Sequence, residues 1–127
     1  MYIKNFEDLQ VWQKAYQLTL KIYKEIKMPP EEKYGLDSQL KRAAVSVPAN
    51  IAEASRRLYR KEPYRFLSIA LGSLSEVRFY IIMCKDLGYI SEAKFKELNS
   101  MCIELDRMLD SFANKARPNN NSSYKDD

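Results

Sequence analysis

Apolar side chains recur at steps of three and four residues in four successive stretches of this chain. That spacing returns side chains to one face of an α-helix, whereas strands need strict alternation. In the first stretch Phe6, Leu9, Trp12, Tyr16, Leu20, Tyr23 and Ile26 share a face, and Asn5 stands at the N-cap position. Met28-Pro29-Pro30 ends the run, because a residue before proline is pushed out of the α region. The second starts near Asp37, with Leu40, Ala43, Ala44, Val47, Ile51, Ala54 and Leu58 facing inward. Pro48 removes a backbone hydrogen bond in its middle and predicts a kink. Ala43, Ala44, Ser46, Ala49, Ala52, Ala54 and Ser55 keep its side chains small, so a neighbouring backbone can come close.

The third stretch opens at Glu62-Pro63 and closes at Leu87-Gly88, where proline suits a first turn and glycine a left-handed C-cap. Leu67, Leu71, Leu74 and Ile81 form one stripe; Phe66, Ile69, Ala70, Val77, Tyr80 and Cys84 form another. So wide an apolar surface in a small domain predicts sharing with a second subunit, through residues such as Phe66, Ile69 and Tyr80. Gly72, mid-helix, is expected at a close approach. The fourth stretch follows Ser91, a good N-cap, and carries Leu98, Met101, Cys102, Leu105, Met108, Leu109 and Phe112 in a near-heptad pattern. The expected fold is all-α: an antiparallel up-and-down four-helix bundle over residues 1–116, with a disordered C-terminal tail over 117–127.

Composition narrows the function. Three glycines and five prolines in 127 residues are too few for the turns of a small sandwich or barrel. The histidine count is zero, which removes histidine bases, the common nucleophilic triads and nearly every zinc site. Glu53 and Glu76 are the carboxylates expected to be partly enclosed, and neither has a catalytic partner or glycine-rich loop beside it in sequence. No enzyme, metal or cofactor is expected. Trp12, Tyr16 and Tyr23 could form a stacking platform, but a stripe at this spacing reads as core. Cys84 and Cys102 belong to no CxxC pair and read as buried thiols of a reducing cytoplasm. The longest unbroken apolar run, Phe79 to Cys84, is six residues, so no membrane span is expected.

The net charge of +4 is unevenly spread. Between Leu40 and Phe66 stand Lys41, Arg42, Arg56, Arg57, Arg60, Lys61 and Arg65 against Glu53 and Glu62, a net of +5; the other 14 basic and 15 acidic residues sum to −1. Arg42, Arg56, Arg57 and Arg60 fall on one line of the second helix, opposite Leu40, Val47, Ile51 and Leu58. Arginine suits bidentate phosphate contacts. The stripe is either a polyanion-binding face for RNA or DNA, or a solvated face on which Glu53 pairs with Arg56 and Arg57.

Several strings go further. Phe6-x-x-Leu9-x-Val11-Trp12-Gln13-Lys14-Ala15 resembles the opening motif of the four-helix-bundle proteins named for intervening sequences in bacterial 23S ribosomal RNA genes. Tyr34-Gly35-Leu36, then Gln39-Leu40-x-Arg42-Ala43-Ala44-x-Ser46-Val47-Pro48-x-Asn50-Ile51-Ala52-Glu53, is similar to that family's central signature. Arg65-Phe66-Leu67-x-Ile69-Ala70-x-Gly72-Ser73-Leu74-x-Glu76 and Leu87-Gly88-Tyr89-Ile90 match later blocks, while Ala54 stands where the family usually has glycine. The resemblance implies a ring-like homopentamer and kinship with accessory proteins of diversity-generating retroelements, which serve a reverse transcriptase. It brings no catalytic residues. It makes Arg42, Ser46, Asn50 and Glu53 candidates for oligomer contacts or anion binding.

The expected function is therefore that of a non-enzymatic, oligomeric, cytoplasmic RNA- or DNA-binding bundle. Its nucleic-acid face is Lys41, Arg42, Arg56, Arg57, Arg60, Lys61 and Arg65; Ser46, Asn50, Glu53, Phe66, Ile69 and Tyr80 are its oligomer contacts. The alternative is a protein–protein scaffold that binds no nucleic acid.

Overall fold

The computed structural model describes residues 5–58 and 62–117. Two members of the expected basic face, Arg60 and Lys61, lie outside the described residues, as do residues 118–127 of the expected tail. Four helices follow in order: α1 (Gln10–Glu25), α2 (Leu36–Arg56), α3 (Pro63–Asp86) and α4 (Glu92–Ala116). Short 3-10 turns cover Phe6–Asp8 and Pro30–Glu32, and no strand occurs among the described residues.

Cross-helix pairs give the topology. Gln39 meets Tyr80, Ser46 meets Ser73 and Arg57 meets Phe66, so numbers rise along α2 as they fall along α3. Thr19 with Ala44 and Tyr23 with Lys41 do the same for α1 and α2. Arg78 with Asn99 and Lys85 with Phe95 do so for α3 and α4. Each helix packs on its sequence neighbours and α1 closes the ring against α4, with α2 against α3 the most extensive pairing. This is the antiparallel four-helix bundle.

Local chemistry sets the ends. Gly88 has φ 82°, and behind it the Tyr89 N–H donates to the Cys84 carbonyl at 2.8 Å and the Gly88 N–H to that of Lys85 at 3.0 Å. That pair of bonds is a Schellman stop for α3. Ser91 Oγ accepts the Lys94 N–H at 3.0 Å and starts α4. Glu32 clasps both connectors at this end: Oε1 accepts the Leu36 N–H at 3.1 Å, and Oε2 accepts the Tyr89 hydroxyl at 2.8 Å. Glu32 thereby holds the Tyr89 hydroxyl above its usual pKa.

One core joins Leu18, Ile22, Leu40, Val47, Ile51, Leu67, Leu74, Val77, Ile81, Leu98, Leu105 and Leu109. The inward residues of α2 and α4 are close to expectation, though Leu58 is only half-buried. For the first stretch the expectation holds only at its ends, where Leu9 and Ile26 are buried in the core. Asn5 makes no side-chain cap and precedes a 3-10 turn, and the buried face is Val11, Ala15, Leu18, Thr19 and Ile22. Trp12 is half-buried, while Tyr16 and Tyr23 are each 44% exposed. A small alanine and a hydrogen-bonding threonine let α1 sit close to α2, and the bulkier rings ride along the seam instead.

Helix α2 runs unbroken from Leu36 to Arg56 with Pro48 buried inside it. On α3 both expected stripes feed the same core through Leu67, Ala70, Leu74, Val77, Ile81 and Cys84. Ile69, Phe79 and Ile82 point outward. Gly72 is exposed, and a Cβ there would meet nothing within 4 Å, so no close approach within the protomer requires it. By length and composition α3 passes as a membrane span although its longest unbroken apolar run is short; in this bundle it packs between α2 and α4.

Candidate nucleic-acid interface

The turn from α2 to α3 places arginines from both helices at one end of the bundle. Arg56 and Arg57 close α2, Glu62 takes a left-handed φ of 62°, and Pro63 begins α3 two residues before Arg65. Arg57 binds the Glu53 carboxylate through Nε at 3.0 Å and Nη2 at 2.8 Å, and its guanidinium lies 4.7 Å from the Phe66 ring centre. The Arg65 guanidinium approaches the same ring at 5.3 Å while Nη1 reaches Glu62 at 3.2 Å. Arg56 is exposed, with no carboxylate within 4 Å among the described residues.

The antiparallel return of α4 adds a member that sequence reasoning missed. Arg117 lies 5.2 Å from the ring centre of Tyr64, in the first turn of α3. Three helices thus contribute Arg56, Arg57, Arg65 and Arg117 to one end, with Tyr64 and Phe66 among them. The end-to-end proximity of α2–α3 and α4 was the signal, and it becomes usable only once the bundle topology is fixed.

Of the other predicted basic residues, the two that lie among the described ones, Lys41 and Arg42, do not join them. Lys41 turns toward α1, pairs with Asp37 at 3.4 Å and sits over the Tyr23 ring at 5.2 Å. Arg42 is exposed on the outer ridge of α2, about 21 Å along the helix from Arg56. Between these two arginines the ridge carries Val45 and Ala49, and an open groove of about 300 Å³ runs alongside it against Phe6, Trp12 and Tyr16 of the N-terminal segment. Trp12 stacks on Tyr16 at 4.9 Å and 13°, and Phe6 meets Trp12 edge-on at 5.0 Å. The rings expected in the core line a surface groove.

Apart from Ile69, the residues singled out as oligomer contacts have partners within the chain. Ser46 and Ser73 hydroxyls are 2.8 Å apart across α2 and α3, and Asn50 Nδ2 donates to the Ser46 carbonyl at 2.8 Å and hydroxyl at 3.0 Å. Glu53 and Phe66 are engaged by Arg57, and the Tyr80 hydroxyl donates to Gln39 at 3.2 Å. Ile69 is 43% exposed and the most open of the set.

Other ionisable groups have structural surroundings. Glu76 is exposed, not enclosed as expected. Among the described residues no group of three or more acidic or cysteine side chains is placed to hold a metal ion. Burial pushes the Cys84 thiol up to about 11 and the Cys102 thiol to about 12. Between α1 and α4, Lys21 and Lys94 each bridge Glu25 and Glu97 in a closed ring of four ion pairs. Hydrogen bonds from Lys94 and then Lys21 hold both carboxylates below their usual range.

Among curated proteins nothing matches the sequence significantly. Among solved structures the bundle is similar to a protein of unknown function from the S23 ribosomal protein family of Bacteroides thetaiotaomicron. That likeness has a TM-score of 0.74 at 23% identity, covering 82% of this chain and 95% of the other, and it bears on the fold alone. The sequence itself matches the 23S rRNA-intervening sequence proteins over residues 7–111, most of its length, and the chain belongs to that family.

Proposed function

We propose that this protein is a non-catalytic, self-associating bundle that binds RNA or DNA through the arginine-rich end formed by α2, α3 and α4. The observation that carries the reading is the convergence of Arg56, Arg57, Arg65 and Arg117 on that end, interleaved with Tyr64 and Phe66. Arg57 and Arg65 spend part of their guanidinium groups on Glu53 and Glu62, which leaves Nη1 of Arg57 and Nη2 of Arg65 as donors for phosphate beside Arg56 and Arg117, and arginine forks suit phosphate oxygens. Self-association draws support from Ile69, Phe79 and Ile82 on α3, exposed apolar side chains that a second copy would cover. A ring of five, as the family strings imply, would repeat the arginine end around an axis and strengthen its field. In a cytoplasmic setting, a reverse transcriptase working on bound RNA is a candidate partner.

A titration of structured RNA at two salt concentrations tests the binding, and light scattering at micromolar protein tests the assembly. Saturable binding that weakens with salt and a mass several times that of the chain are expected. Absence of saturable binding at low salt would turn the reading toward a protein–protein scaffold.

A further inference from the structure

We propose that the groove between α1 and α2 takes the unpaired bases of a single-stranded polynucleotide, with Arg42 and Arg56 on its phosphates. The inference rests on the nucleic-acid reading above and specifies the strand state that reading leaves open. The ring ladder Phe6–Trp12–Tyr16 ends at Tyr16, a residue 44% exposed, where a further flat ring would continue the stack. Across the groove Val45, Pro48 and Ala49 form an apolar wall low enough for a base to lie against the rings. No carboxylate lines it, and the acid nearest on α2, Glu53, is taken by Arg57 on the α3 side.

The charges fit as well. Arg42 and Arg56 are exposed, have no carboxylate within 4 Å among the described residues, and bracket the groove about 21 Å apart along the helix. Arg56 also belongs to the arginine-rich end, so a strand held there continues directly into the groove. A duplex keeps its bases stacked inside and presents only phosphates. An unpaired strand presents both chemistries, and aromatic stacking is the sequence-tolerant way to hold it.

Trp12 is the sole tryptophan, so its emission reports the groove directly. The full chain is titrated with an unstructured oligonucleotide of about 12 nucleotides and with a duplex of the same length, following anisotropy of the labelled nucleic acid and Trp12 emission. The single strand is expected to bind more tightly and to quench Trp12 saturably. Tyr16→Ala is expected to weaken it about 5- to 150-fold, the loss of one stacked base. Val45→Glu, an exposed change that leaves the core intact, is expected to block the single strand while largely sparing the duplex. Equal binding of both forms with unchanged Trp12 emission would overturn the groove while leaving the arginine-end reading standing. Failure of both forms to bind at low salt would overturn that reading, and this inference with it. An emission change that follows protein concentration and not oligonucleotide would make the groove an interface between copies and overturn its role as a base site.

Discussion

Thr19 on α1 supplies to α2 the hydrogen bond that Pro48 takes away. Its hydroxyl lies 2.9 Å from the carbonyl oxygen of Ala44, the acceptor that an N–H at position 48 would serve in a regular helix. The same hydroxyl is 3.0 Å from its own Ala15 carbonyl, but that acceptor lies within a regular turn of α1. A proline inside an unbroken helix is thus made tolerable from a neighbouring helix. Thr19→Val should cost about 1–3 kcal/mol by stranding a buried acceptor. In a Pro48→Ala background the cost should shrink, because the backbone N–H returns; urea denaturation of the four proteins in that cycle measures the coupling.

The ring of Lys21, Glu25, Lys94 and Glu97 predicts a pH dependence with a definite sign. Glu25 and Glu97 have folded pKa values below their unfolded ones, so their contribution is present above the ordinary carboxylate range. It is lost as pH falls through the depressed folded values. Lys21 and Lys94 are raised, so theirs is present below the ordinary lysine range and lost as pH climbs through the folded values. Stability followed by denaturant midpoint from neutral pH to below 4 should fall, and Glu97→Gln should flatten that fall. An identical acid limb in Glu97→Gln would remove the ring from the account.

Cys84 and Cys102 are fully buried, with thiols raised to about 11 and about 12. Thiolate is the reactive form, so both should resist a thiol reagent at neutral pH in the native state. Labelling should proceed only at the rate of global opening, and it should accelerate with urea in step with loss of helix signal. Rapid labelling of either thiol under native conditions would contradict the burial.

Gly72 separates two roles for the outer face of α3. A Cβ at this position meets open space within the protomer, so Gly72→Ala should raise helix stability by about 0.5–1 kcal/mol. Should a second copy pack closely on that face, the same change would lower the assembled fraction seen by light scattering. Raised stability with unchanged mass would move any interface away from Gly72.

Much of the bundle is legible in the sequence because its stops are chemically plain. Glu62-Pro63, Gly88 and Ser91 mark ends that the dihedrals and caps reproduce, while α1 stops at Glu25, short of the Met28-Pro29-Pro30 break. The face of α1 was not legible, because two apolar series of the same period run along it. One is rich in rings, the other includes Ala15 and Thr19. The core takes the series that permits close approach and a hydrogen bond to Ala44. The ringed series borders the seam, where aromatic bodies can be covered while their edges stay wet. The candidate interface was legible where it is local, at Arg56, Arg57 and Arg65. Its remaining member, Arg117, comes from the far end of the chain, and Lys41 departs because Asp37, one turn back, turns it toward α1.

Whether the arginine-rich end holds a polyanion is read from the salt dependence of RNA binding by Arg56→Glu/Arg65→Glu. Lys41→Glu, away from that end, serves as a charge-reversal control. The double variant should lose at least about tenfold in affinity and show a salt slope shallower by about 1–2. Lys41→Glu should bind at near-parental strength. Affinity and slope unchanged in the double variant, with its helix content intact, would contradict polyanion binding at that end.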